Sequence, residues 1–287
     1  MVAVILRRRK LGRTSAREVS RFAQEAGVDI KELRNDKPFP INVDMVFRWG
    51  TTTNVPQGVS VVNDAKAIHW VADKKTSRML MAEQGLAPKS WTHWSQIDAE
   101  ADGSLVQPVV VRRATHHQGK YLHLCTTLTE LVRACNLYGD GNYYISEYIN
   151  KVAEYRVFIA QGRVVWVAKK TPADEKAIAW NVAKGGRFDN VRWDDWPLKA
   201  IRVSREAFLM SGLDFGGVDV MVDEAGNCFV LEINSAPSQT SPYRQECTSK
   251  AFQYIVKNGK KAIDVVAERG GYRKFIHPAI SAEAMMV

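Results

Sequence analysis

A mixed α/β (α+β) protein of more than one unit is predicted by three features of this 287-residue sequence. Apolar runs of strand length recur at residues 2–6, 43–49, 108–113, 143–149 and 217–222. Segments with helical spacing alternate with them, best seen at 127–138, where Leu128, Leu131, Val132 and Cys135 share a face. A polar turn at 223–227, containing Gly226, joins the apolar runs 217–222 and 228–233 into a β-hairpin.

The leading unit, to about residue 62, starts with a buried strand at 2–6. Ser15 and Glu18 have capping-box spacing for a helix that Gly27 ends, and the run 43–49 closes in Arg48-Trp49-Gly50-Thr51. Arg7, Arg8, Arg9 and Arg48 cluster at strand ends, where open α/β sheets place their ligands. They are expected to receive an acidic substrate; the alternative is a solvated basic rim.

Beyond it, Asp73 is placed to cap a helix that runs to Gly85, with Pro88 as a stop. Residues 91–103 are polar, a loop or short helix. The strand 108–113 leads into a loop at 114–120 that ends in Gly119 and Lys120; Tyr121 follows, so it is not a P-loop. His116, His117, His123 and Cys125 lack the paired spacing of a zinc site. Thr127 and Glu130 form a second capping box, and Gly139 and Gly141 mark a turn. A hairpin about Gln161-Gly162 leads to Lys169 and Lys170. Helices are expected at 203–212 and at 250–268, the latter with Phe252, Ile255, Val256, Ile263 and Val266 on one face.

Composition limits the function classes. With 46% hydrophobic and 25% charged residues the chain reads as an ordinary globular protein. No apolar run approaches the roughly 20 residues a membrane helix needs, so no membrane association is expected. The apolar start stops at Arg7-Arg8-Arg9-Lys10, the reverse of a signal peptide's charge order. Four cysteines without C-x-x-C spacing point to reduced thiols and a cytoplasmic protein. A net charge of +9 suggests an anionic substrate or partner; nucleic acid is disfavoured, because the basic residues are dispersed. Homo-oligomerisation stays open.

The hairpin carries the chemistry. Glu232 and Asn234, two apart on a strand, point the same way, and antiparallel pairing brings Asp219 opposite them. Two carboxylates and an amide oxygen suit a hard divalent cation, Mg²⁺ (or Mn²⁺), which alongside nucleotide phosphates needs only one or two carboxylates.

Gly-Val-Asp-Val followed by Leu-Glu-Ile-Asn-Ser-Ala-Pro resembles the metal-binding end of the ATP-grasp superfamily, in particular glutathione synthetase and the ribosomal-protein glutamate ligases. Five further patterns appear in that family's order: a basic strand end, a glycine loop, an adenine hinge, Glu-x-Arg and Asn…Gly-Gly. The resemblance implies two lobes clasping ATP, a central lid subdomain (63–145) and a C-terminal subdomain with the metal site (146–287), preceded by a small α/β domain (1–62). It implies Asp219, Glu232 and Asn234 as metal ligands. Arg112, where the family carries Lys, and Gly119 would contact phosphates; Glu147-Tyr148-Ile149 would hold adenine; Glu154 would bond the ribose. Arg156 and one of Lys169 and Lys170 would face the reacting phosphate, with Asn181 and Lys184 of the Asn181…Gly185-Gly186 loop.

The activity so implied is a ligation. A carboxylate takes the γ-phosphate of ATP to give an acyl-phosphate, and an amine (of an amino acid, peptide or protein) displaces phosphate. A phosphotransferase would share every nucleotide residue. A basic nucleic-acid-binding protein with a vestigial ATP site is a third reading.

Overall fold

The computed structural model describes residues 1–9, 12–115, 122–174, 177, 178, 180 and 185–260. Gly119, Lys120, Asn181, Lys184 and the segment after 260 lie outside the described residues.

The leading sheet is parallel and runs β2-β1-β3-β4, from β1 (Ala3–Arg7), β2 (Ile30–Arg34), β3 (Met45–Trp49) and β4 (Ser60–Val62). Every residue of β1 and β3 is buried, as expected for apolar strands with neighbours on both sides. Helix α1 (Arg13–Glu25) covers one face. The expected capping box is not formed: Gly12, in the left-handed region, precedes α1, and Ser15 lies within its first turn. There the Ser15 hydroxyl donates to the Gln239 carbonyl and accepts from the Gln239 amide, so it ties α1 to a distant loop instead. Gly27, at φ 74°, ends the helix as expected.

Asn63, fully buried, joins this unit to the rest: its side chain donates to the Phe215 carbonyl and accepts from the amides of Asp214 and Phe215. Two short helices follow, α2 (Ala65–Ala72), capped by Asp64, and α3 (Lys74–Glu83), capped by Asp73 as the sequence predicts. A small antiparallel sheet, β5-β8-β6-β7, comes next, from β5 (Ser90–Trp91), β6 (Ser104–Arg113), β7 (Leu122–Thr127) and β8 (Tyr143–Glu147). Helix α4 (Leu128–Asn136), with its Thr127/Glu130 capping box in place, packs on it.

The largest sheet is antiparallel, β11-β10-β9-β12-β13, from β9 (Lys151–Ala160), β10 (Arg163–Thr171), β11 (Arg187–Asn190), β12 (Phe215–Asp223) and β13 (Cys228–Asn234). One face, with Val157, Ile159, Val167, Val218, Val220 and Val230, is buried beneath α2 and α5 (Leu198–Ser211). The other face divides. Its Phe158, Trp166 and Phe215 end packs on α6 (Pro242–Asn258) and the leading sheet, with Phe47 stacked on Phe252 at 4.2 Å. Its remaining end opens into a cleft. Both α5 and α6 begin earlier than periodicity predicts, α6 with Pro242 in its first turn, where a missing N–H costs nothing.

Candidate active site

The open end of that sheet face forms one wall of a cleft of about 990 Å³, with the small sheet and α3 among its other walls. Strand register decides which side chains enter. Asp219 pairs with Glu232 on β13 and with Arg156 on β9, so all three project from one face. Two residues along the same strands, Asn234 and Glu154 join them. The predicted hairpin and its opposed carboxylates are therefore present, and Asp219, Glu232 and Asn234 converge.

Each acid has a cation. Arg156 grips Asp219 bidentately at 2.6 and 2.7 Å, with both side chains almost buried. Lys74, at the start of α3, pairs with Glu232, whose other oxygen accepts from the Asn234 amide at 3.0 Å. Burial alone would raise the Glu232 pKa; Lys74, Asn234 and Arg156 outweigh it and hold the carboxyl well below the usual carboxylate range. Glu154, 2% exposed, accepts from Lys151 at 2.6 Å and from Lys170. The carboxylate assigned by resemblance to ribose is thus neutralised within the protein.

The geometry separates the two candidate lysines. Lys170 is buried and enters the cleft, while Lys169 pairs with Tyr155 on the opposite face and is exposed. Arg112, Glu147, Tyr148 and Ile149 line the cleft as well. The hinge is fixed by the Glu147 amide donating to the Lys89 carbonyl and the Tyr148 amide to the Pro108 carbonyl. Of the arginine cluster in the leading unit, only Arg8 reaches the cleft. Arg7, 2% exposed, pairs with Glu32 and donates to the carbonyls of Arg8 and Arg9, which fixes the strand end. Arg48 is likewise buried, bonded to the Thr53 carbonyl.

Sequence reasoning missed Lys74, Arg78, Lys151 and Phe188. Arg78 lies on the Lys74 side of α3, a signal readable as i,i+4 spacing once the helix start is known. Lys151 sits 4.7 Å from the Trp180 ring, and Phe188 receives Arg156 at 4.5 Å and Lys170 at 5.4 Å. Cationic lining groups Lys74, Arg78, Arg112, Lys151, Arg156 and Lys170 outnumber the carboxylates Glu147, Glu154, Asp219 and Glu232, the balance a polyphosphate site requires. The metal-ligand set also fits: two carboxylates and an amide, all oxygen donors and no thiol or imidazole, suit a magnesium-type ion that keeps waters and phosphate oxygens. Of the histidines weighed for zinc, His116 and His117 lie outside the described residues and His123 bonds the Tyr138 hydroxyl; no group of three or more His, Cys, Asp or Glu placed to hold a metal ion occurs among the described residues.

The sequence profile of the RimK-like ATP-grasp domain matches residues 71–256, well over half the chain. The protein belongs to this ATP-grasp family. The fold agrees: a D-alanine–D-alanine ligase structure from Bacillus anthracis superposes at TM-score 0.64 with 15% identity, covering 94% of this chain and 100% of that one. The ATP-grasp ligase PsnB, complexed with a minimal precursor, gives TM-score 0.60 and 11% identity, covering 88% of this chain and 99% of that one. At these identities the likeness is one of fold. A D-alanine–D-alanine ligase from Laribacter hongkongensis (strain HLHK9) is 35% identical over 95 residues, which is 31% of this chain and only 30% of that relative. No described helix is long and apolar enough to cross a membrane.

Proposed function

We propose that this ATP-grasp protein is an ATP-dependent ligase that joins a carboxylate to an amine. The substrate carboxylate oxygen attacks the γ-phosphorus of ATP, the bond to the β-phosphate oxygen breaks, and ADP leaves. The amine nitrogen then attacks the acyl carbon and loses a proton, and phosphate departs as the amide forms. The observation that carries this reading is Asp219 facing Glu232 across one rung, at the floor of a cleft rich in cations.

The residues divide the work along the cleft. Glu147-Tyr148-Ile149 receive the adenine end. Arg112, Lys151 and Lys170 neutralise phosphate charge, and Arg156 lies beside the metal ligands, where charge shifts during transfer. Asp219, Glu232 and Asn234 would hold Mg²⁺ (or Mn²⁺), which when bound supplies further neutralisation between phosphate oxygens. The lining also includes Arg8, Ser238 and Thr240, which suit an anionic substrate. Four buried free cysteines support a cytoplasmic location.

The test is incubation with ATP, Mg²⁺ and candidate acids (amino acids and acidic peptides) in the presence of hydroxylamine. A ligase yields a hydroxamate together with ADP. Formation of ADP and a stable phosphorylated product, with no hydroxamate, would establish a phosphotransferase instead.

A further inference from the structure

The carboxylate pair exists only because β13 carries a bulge. Val220 pairs with Val230, but the next rung joins Asp219 to Glu232 and leaves Leu231 as the extra residue. Continued without the bulge, the Val220–Val230 register would set Leu231 opposite Asp219 and turn Glu232 to the other face. A bulge on an edge strand has few ladder bonds to hold it, and β13 is the edge of its sheet.

One side chain supplies the missing bonds. Arg78, 3% exposed, donates to the carbonyls of both Val230 (2.8 Å), the last residue before the register shift, and Leu231, the bulged residue itself. Four residues earlier on the same helix, Lys74 pairs with Glu232 itself. The Val230 amide is held from the same side by the Leu86 carbonyl at 2.8 Å. Burial lowers the Arg78 pKa to about 10, so the guanidinium stays charged at neutral pH. Among the described residues no carboxylate bonds it, and its two hydrogen bonds both go to the strand carbonyls at the bulge.

We propose that Arg78 is a positioning residue for the metal site, pinning the Leu231 bulge so that Glu232 faces Asp219. The inference rests on the proposed role of that pair as metal ligands. It is separable from turnover, because the quantity Arg78 controls is metal affinity.

The experiment measures Mn²⁺ binding to the ADP complex by electron paramagnetic resonance, in wild type, Arg78→Met and Arg78→Lys, each also in a Glu232→Gln background. Loss of a group that orients a ligand weakens metal binding by roughly 10–100-fold, the fall expected for Arg78→Met. Arg78→Lys, which keeps the charge but cannot span two carbonyls, falls between, and decides the matter if Arg78→Met does not fold. In the Glu232→Gln background neither substitution lowers affinity further. Undiminished Mn²⁺ affinity in the folded single variants would overturn the proposal, as would an equal fall with Gln at 232, since that means general loosening. A wild-type ADP complex that binds no Mn²⁺ would overturn the metal-site reading itself, and this inference with it.

Discussion

The two faces of the five-stranded sheet come from the same strands, often from adjacent residues, yet they do opposite things. Val218 and Val220 point into a sealed apolar layer beneath α2 and α5, while Asp219 between them enters the cleft. On β9, Val157 and Ile159 lie in that layer, and Glu154 and Arg156 face the cleft. The closed face can absorb a change only by losing packing. The open face borders a cleft lined by four carboxylates and eight cations, some of them nearly buried, and can absorb one only by exposing an unpaired charge. Along the stretch that borders the cleft, stability is therefore concentrated on one side of each strand and chemistry on the other, although the cleft side also stores strong ion pairs, and its far end packs on α6.

The sharpest way to break the comparison is at Asp219 and Glu232. Removal of either carboxylate is expected to lower turnover by about 10²–10³-fold or more, the scale of losing one preorganised charge-stabilising group. Their effects on folding differ. Asp219→Ala strands the nearly buried Arg156 and should cost about 3–5 kcal/mol, as breaking buried pairs does. Glu232→Ala leaves Lys74, which is 22% exposed and can turn to water, so it should cost clearly less stability than Asp219→Ala. Urea denaturation and steady-state ADP release on the same preparations check both halves. Equal destabilisation would mean that the two pairs are not differently buried.

The closed face gives the converse. Ile159→Ala, at a fully buried position, should cost about 2–5 kcal/mol with unchanged ADP affinity in the molecules that remain folded. Isothermal titration below the transition checks this, and a weakened ADP site would show that the faces are coupled.

Much of this division could be read in the sequence, because period-two alternation is local. Gly217 to Ile233 announced the hairpin, and the opposed acids followed from it. The Thr127 and Asp73 caps were legible for the same reason, each being decided within three residues. What could not be read depends on distant partners. Ser15 has capping spacing but bonds Gln239, 224 residues away. Arg7 and Arg48 look like ligand groups at strand ends, yet Glu32 and the Thr53 carbonyl claim them. The bulge at Leu231 leaves no mark in composition, since it is fixed by a helix cation contributed 153 residues earlier.

A smaller effect concerns pH. Glu232 is held below its ordinary value of 4.5, so its pairing contributes stability that is fully present above that pH and is lost as pH falls through the lower folded value. Glu232→Gln should therefore flatten the acid limb of a plot of urea midpoint against pH, with no change in slope near neutrality. An unaltered acid limb would mean that Lys74 does not discriminate the charged form.

The smallest effect separates Lys169 from Lys170, adjacent residues on opposite faces of β10. Lys169→Ala removes an exposed side chain outside the cleft and should change stability by no more than about 0.5 kcal/mol, with ADP and ATP affinity unaltered. Lys170→Ala removes one of the two lysines bonded to Glu154, leaving that buried carboxylate with Lys151 alone. It should weaken ATP more than ADP if Lys170 meets the terminal phosphate, and both equally if it serves only to neutralise Glu154. Comparing the two nucleotides by titration in each variant therefore tests the division of faces and the role of the inward lysine together. A Lys169 variant as impaired as the Lys170 variant would show that the register of β10 in solution differs by one residue, because a one-residue slip exchanges the two faces.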